Sequence, residues 1–350
     1  MTPHYPRLRL RGIPPGRWKS HEGKPPRPRR ELLARDVFRL AFYLPHDHSE
    51  IAEGVLHAVN SYIQAVGEGP KAINHVYLGG NEEGAPLTEE WWGYIRNTLH
   101  PQRRWYFPDD YSEAEARRVE KRGYQTRLIL TGGINGSNGY QLEYRARLPY
   151  RPPTPNAVSL LTATLPTEYL AAHGAMRVRA LALEMASRLR FASGHAGLAL
   201  SLYSSLRISS ASLRTELFRY PGIDVRPAWL DSHQMGLQID GVHWLNFLAQ
   251  PVLGELGGAA VLSSRLHAPE TTVQELGEDR VVISLGDCPN AGDLSVGQEL
   301  PAYRELARFL NPWLEPLRLS HGTLFVEPPR YTALRFTEEE ARRWWRRFLD

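Results

Sequence analysis

Two runs, residues 125–131 and 139–148, constrain the fold of this chain more than any other feature, and Gly132-Gly133-Ile134-Asn135-Gly136-Ser137-Asn138 joins them. In the second run Tyr140, Leu142, Tyr144, Ala146 and Leu148 alternate with Gln141, Glu143, Arg145 and Arg147. That period places one face in a core and the other in water. The Asn-Gly pairs supply the positive φ angles of a tight reversal. A phosphate cradle would need a helix after the glycines and a Gly-Lys-Ser/Thr ending, and the sequence has neither. The segment therefore predicts an antiparallel hairpin.

Other elements follow from apolar spacing. Val37–Leu44 reads as a strand stopped by Pro45, followed by a helix over 49–66 with Ile51, Val55, Val59, Tyr62, Ile63 and Val66 on one face. Strands are expected at 73–78, 158–165, 197–203, 259–262, 271–276 and 280–285. Helices are expected at 87–99, from Thr167 to Leu189 with a break at Gly174, at 212–219, over 242–256 broken near Pro251, at 301–310, and at 337–349. Thr337 with Glu340 makes a capping box for the last of these. Its acids lie at the start and its arginines toward the end, which suits a docked terminal helix. Without a strict βαβ rhythm, the pattern predicts an α+β fold: a largely antiparallel mixed sheet covered by helices, in one large domain over 31–350.

The net charge of +4 is unevenly distributed. Residues 1–30 hold nine Lys and Arg, seven prolines and one acid, whereas 31–350 hold 33 basic and 37 acidic residues. The first segment reads as a disordered basic arm and the body as mildly acidic. A single cysteine, Cys288, excludes an internal disulfide framework. No apolar leader or membrane-length apolar run occurs, so a cytoplasmic location is expected.

The chain carries no catalytic signature. HExxH and G-x-S-x-G are absent, and Asp287 beside Cys288 disfavours a thiolate. His46-Asp47-His48 falls where a strand hands over to a helix, so Asp47 or Ser49 is better read as an N-cap than a metal ligand. The alternatives that remain are a metal-dependent hydrolase using Asp231, His233, Asp240 and His243, and a nucleic-acid-binding protein using the basic arm. The leading expectation is a protein-binding role with no catalytic residue, metal or cofactor. If an acidic patch does the binding, the candidates are Glu82, Glu83, Asp109, Asp110 and Glu113, with Tyr111 as an aromatic anchor.

Five stretches occur together: Leu165-Pro166-Thr167-Glu168-Tyr169-Leu170, Ser193-Gly194-His195-Ala196-Gly197-Leu198-Ala199-Leu200, Phe218-Arg219-Tyr220-Pro221-Gly222, Asp240-Gly241-Val242-His243-Trp244-Leu245-Asn246-Phe247-Leu248 and Leu253-Gly254-Glu255-Leu256-Gly257-Gly258. The set resembles the type VI secretion immunity-protein family (TsiV-like) over about residues 35–350. The resemblance implies an antitoxin that binds a cognate secreted effector toxin and covers its active surface, with no catalysis. An acidic body would suit a basic toxin such as a nuclease.

Overall fold

The computed structural model describes residues 5–12, 31–78, 84–101, 112, 114, 126–133, 136–147, 156–202, 211–226, 228, 232–316 and 337–350. Strand β2 (Glu31–Leu44) lies at the middle of an eleven-stranded sheet. It pairs with β7 (Ser159–Pro166) on one edge and β8 (Ser193–Leu202) on the other. Beyond β7 come β6 (Gln141–Arg145), β5 (Arg127–Thr131), β3 (His75–Leu78) and β4 (Ala85–Pro86). Beyond β8 come β9 (Leu245–Ala249), β11 (Arg280–Leu285) and β10 (Thr271–Glu275). Among the described residues, the ladders between these strands are antiparallel. The expected hairpin is β5–β6, with Thr131 opposite Gln141, and its glycines 133, 136 and 139 all have positive φ.

One face of β2 presents Phe38, Leu40, Phe42 and Leu44 to helices α1 (His48–Val66) and α3 (Thr167–Ala186), which pack against each other over the sheet. Ile51, Val55, Val59 and Tyr62 of α1, and Leu170, Val178 and Met185 of α3, complete this core. Each such large side chain contributes about 1.5–3 kcal/mol by leaving water. Asp47 is the N-cap of α1, and Glu50 reaches back to its amide at 2.9 Å. Gly174 interrupts α3 with φ 78°. The opposite face of β2 carries Arg39, Ala41 and Tyr43; the two apolar ones join Val158, Leu160, Ala228 and Met235 in a smaller core.

The remaining helices among the described residues include α2 (Glu89–Thr98), α4 (Ala211–Arg219), α5 (Val252–Glu255), α6 (Gly258–Arg265), α7 (Pro301–Leu310) and α8 (Glu338–Trp345). Two expectations are corrected. The run expected as a helix over 242–256 contains β9, all five of whose residues are buried, followed by a turn and the four-residue α5. An apolar run covered on both faces has no alternation, so its period does not separate strand from helix. Conversely 259–262 lies within α6, where Leu262 alone is buried and the alanines favour a helix.

The expected basic arm is structured over part of its length. β1 (Arg9–Gly12) pairs with residues 31–35 of β2, and Tyr5 and Leu8 are buried. Arg7 and Arg9 pair with Asp36 and Glu168, and Arg35 reaches Glu168 at 2.6 Å. Charges that look free in the sequence are thus tied to the sheet, while residues 13–30 lie outside the described residues. The water-facing side of β6 is also more covered than its alternation suggests. Glu143 is buried between Arg145 and Arg127.

The contact between α1 and the turn that follows α3 depends on Gly54, where a Cβ would stand 2.3 Å from the Arg188 carbonyl oxygen. Helical propensity favours alanine over glycine by about 0.5–1 kcal/mol, but overpacking costs about 1–3 kcal/mol. Gly54→Ala is therefore expected to lower the urea midpoint. Gly93→Ala in α2, where a Cβ meets nothing within 4 Å, is expected to raise it. Equal signs for the two substitutions would contradict this account of the packing.

Candidate functional site

The second face of β2 faces a buried polar centre. β2 supplies Arg39 and Tyr43, and β8 supplies His195, which lies opposite Ala41. Residues 224–226 run beside β8, with the Asp224 amide donating to the Leu198 carbonyl at 2.9 Å. They bring in Asp224 and Arg226. The turn before β9 brings in Asp240 and His243. A Cβ on Gly197 would lie 3.3 Å from that of His243, so β8 and the turn meet closely. His195, Asp224, Arg226, Asp240 and His243 are all buried.

Asp240 organises this centre. The hydroxyl of Tyr43 donates to its Oδ2 at 2.7 Å. Its Oδ1 lies 2.9 Å from His195 Nδ1, and 3.6 Å from both His243 Nε2 and Arg226 Nη2. Asp224 bridges Arg39 at 3.3 Å and Arg226 at 3.5 Å, and Arg39 also donates to the carbonyls of Arg226 and Leu200. Burial alone would raise both carboxyl pKa values. His195 and Arg226 instead hold Asp240 well below the usual range, and Arg226, with His243 and Arg39, brings Asp224 down to about 2. His243 is pushed down to about 4, by burial first and by His195 second.

The C-terminal helix closes over this centre. The Arg226 guanidinium lies 4.8 Å from the Trp345 ring centroid, and that of Arg347 lies 3.7 Å from the Trp344 centroid. Arg347 also donates to the Pro221 carbonyl at 2.8 Å, and burial lowers its pKa to about 9. Trp345 and Arg347 thus dock the terminal segment, whereas Arg342 pairs with Glu338 and Arg346 with Asp350 within that segment itself. Beside it a cavity of about 360 Å³ lies between Ile239, Val242, Leu314, Trp345 and Phe348, with Asp240 and Arg226 also in its wall.

Ligand atoms of His195, Asp240 and His243 lie within 4.8 Å of one another, which raises the question of a metal. The two imidazoles stack at 3.7 Å with planes 13° apart, so their in-plane lone pairs run side by side instead of converging. Asp240 Oδ1 already occupies the focus of the nearby donors, and the Arg226 cation lies 3.6 Å from it. The set fits a carboxylate clasp better than a cation site.

Of the residues proposed from sequence for a hydrolase, Asp240 and His243 belong to this centre. His233 is exposed, and Asp231 lies outside the described residues. His46, Asp47 and His48 diverge to Glu50, Arg147 and Tyr144. Ser193 donates to the Gln238 carbonyl, and burial followed by Asp287 raises the Cys288 thiol pKa. The acidic candidates Glu82, Glu83, Asp109, Asp110 and Glu113, with Tyr111, lie outside the described residues. Arg39, Tyr43, Asp224 and Arg226 carry no motif in the sequence, and His195 enters there only within one of the five stretches of the resemblance. The available signal was a charged or ring-nitrogen side chain within an otherwise apolar strand, as in Val37-Phe38-Arg39-Leu40.

Because His243 has a pKa of about 4 in the folded chain against 6.5 as its ordinary value, the unfolded chain binds more protons between those pH values. Stability contributed by neutral His243 is therefore complete above pH 6.5 and falls as the pH drops toward 4. The full loss is on the order of 3 kcal/mol. The Asp224 and Asp240 contributions are lost only below the carboxyl's ordinary 3.8. His243→Gln is expected to flatten the profile of unfolding free energy from pH 6.5 to 4. Asp240→Asn is expected to cost about 3–5 kcal/mol at pH 7 by stranding its cationic neighbours. Urea titrations across this pH range provide the measurement.

Comparison with known proteins gives the centre its context. Among solved structures, the fold is similar to the Pseudomonas aeruginosa T6SS protein PA0821, with a TM-score of 0.68 at 18% identity, covering 92% of this chain and 84% of that one. No curated protein matches. Residues 108–348 match the family TsiV, described as type VI immunity for VRR-NUC, a segment that runs from before β5 through α8 and includes His195, Asp224, Arg226, Asp240 and His243. With that match spanning more than half of its length, the chain belongs to the TsiV family of type VI immunity proteins.

Proposed function

We propose that this chain neutralises a cognate type VI effector nuclease by binding it in the cytoplasm and covering its active surface, without catalysing a reaction. The family match over 108–348 carries this reading. The polar centre is consistent with it. Its carboxylates are enclosed by their own arginines and histidines, an arrangement that holds strands and a helix together. The charge balance adds support, since the acidic body of residues 31–350 complements a surface that grips phosphates.

Within this reading Glu82, Glu83, Asp109, Asp110 and Glu113 supply negative charge to the interface and Tyr111 an aromatic anchor. Asp109, Asp110, Tyr111 and Glu113 fall within the matched segment. Co-expression with a VRR-NUC effector from the same genome, the type named in the family's description, is expected to restore growth and to retain the effector on a column carrying this chain. Reversing the five acids to lysine should weaken binding at least tenfold and steepen its loss with salt. Unchanged affinity removes these residues from the interface. Absence of both rescue and retention by the wild-type chain overturns the function itself.

A further inference from the structure

We infer that the loop Gly292–Glu299 is a preformed knob that carries Leu294 and Val296 into an apolar recess, bordered by basic residues, on the effector; this rests on the effector-binding reading above. The two side chains are 41% and 66% exposed, two of four large hydrophobic residues so placed among the described residues. The other two, Met176 and Leu237, stand elsewhere in the sequence with no such partner close by. Leu294 and Val296 are held together on one short 3₁₀ turn, Leu294–Val296.

The turn is fixed from below. Asp293 receives two hydrogen bonds from Arg219 of α4, at 2.9 and 2.7 Å, and further bonds from the amide and hydroxyl of Ser295. Asp293 and Gln298 exchange backbone hydrogen bonds across its base, and Gly292 and Gly297 take the left-handed conformations that close it. A loop serving only as a connection gains nothing by holding two apolar side chains toward water. A knob already in its bound shape loses little conformational freedom on docking.

Charge selects the occupant. In the loop and its ion-pair chain, Asp293, Glu299 and Glu216 outnumber Arg219. Such an acidic rim fits a cationic surface of the kind that binds nucleic acid, and it repels the same rim on a second copy of this chain.

Affinity of the full chain for a VRR-NUC effector from the same genome, catalytically inactivated and measured by calorimetry, tests the inference. Val296→Lys is expected to weaken binding at least thirtyfold, and Val296→Asp less, because lysine adds repulsion from a basic rim. Leu294→Ser combined with Val296→Ser should cost at least tenfold, and Arg219→Ala should cost several-fold by loosening the knob. Met176→Lys should change affinity less than twofold. Thermal melts matching the wild type establish that each variant is folded. If the wild-type chain fails to bind, the effector-binding reading falls. If it binds while Val296→Lys and the double serine variant stay within twofold of it, or if Met176→Lys loses as much, the knob assignment is overturned.

Discussion

A carboxylate charged within the protein sets the terms for much of this structure. Asp240 is buried, and it stays ionised because His195 and Arg226 approach its Oδ1 while Tyr43 caps its other oxygen. Those partners come from two adjacent strands and from the segment beside them, so the charge is satisfied only when β2, β8 and residues 224–226 have assembled. Asp224 repeats this logic with Arg39 and Arg226. Burial of the apolar face of β2 already penalises a one-residue slip of register, and two carboxylates enclosed by fixed cations penalise it further. The C-terminal segment then docks through Trp345 of its helix on Arg226 and through Arg347 on the Pro221 carbonyl.

The parts of the fold visible in the sequence are those in which local chemistry and tertiary environment agree. The β5–β6 hairpin shows alternation and turn glycines together, α1 has its cap and apolar stripe, and α8 has its capping box. Agreement fails where burial is two-sided. Leu245-Asn246-Phe247-Leu248-Ala249 is covered on both faces, so its composition suits either a helix or a strand, and only pairing with β8 and β11 settles which. β1 is hidden for another reason. Arg9 within it and Arg7 just before it read as solvated charge until Asp36 and Glu168, further along the chain, are brought beside them.

The polar centre was half legible. Asp240 and His243 stood out as a possible metal pair, but the partner that gives them meaning, His195, lies in another strand, and no spacing rule links the two. The type of chemistry was equally hidden. A carboxylate between two imidazoles reads as a ligand set in sequence, and only the stacking of the rings and the approach of an arginine turn it into a structural clasp. In a binding protein, such a centre lies inward and holds the scaffold, while recognition is left to outward loops whose residues carry little pattern. The 292–299 loop illustrates this, since Leu294 and Val296 are unremarkable until their exposure is known.

The central position of β2 also has a consequence in time. Its ladders join Val37 to Pro166 and Ala34 to Leu202, so the first long strand to leave the ribosome waits for partners well over a hundred residues downstream. At ordinary elongation rates that delay is on the order of ten to thirty seconds, and the dominance of distant pairings slows folding further. A cell relying on this protein against an incoming toxin would be shielded only by molecules finished beforehand, so protection would depend on standing supply and slow turnover more than on rapid induction.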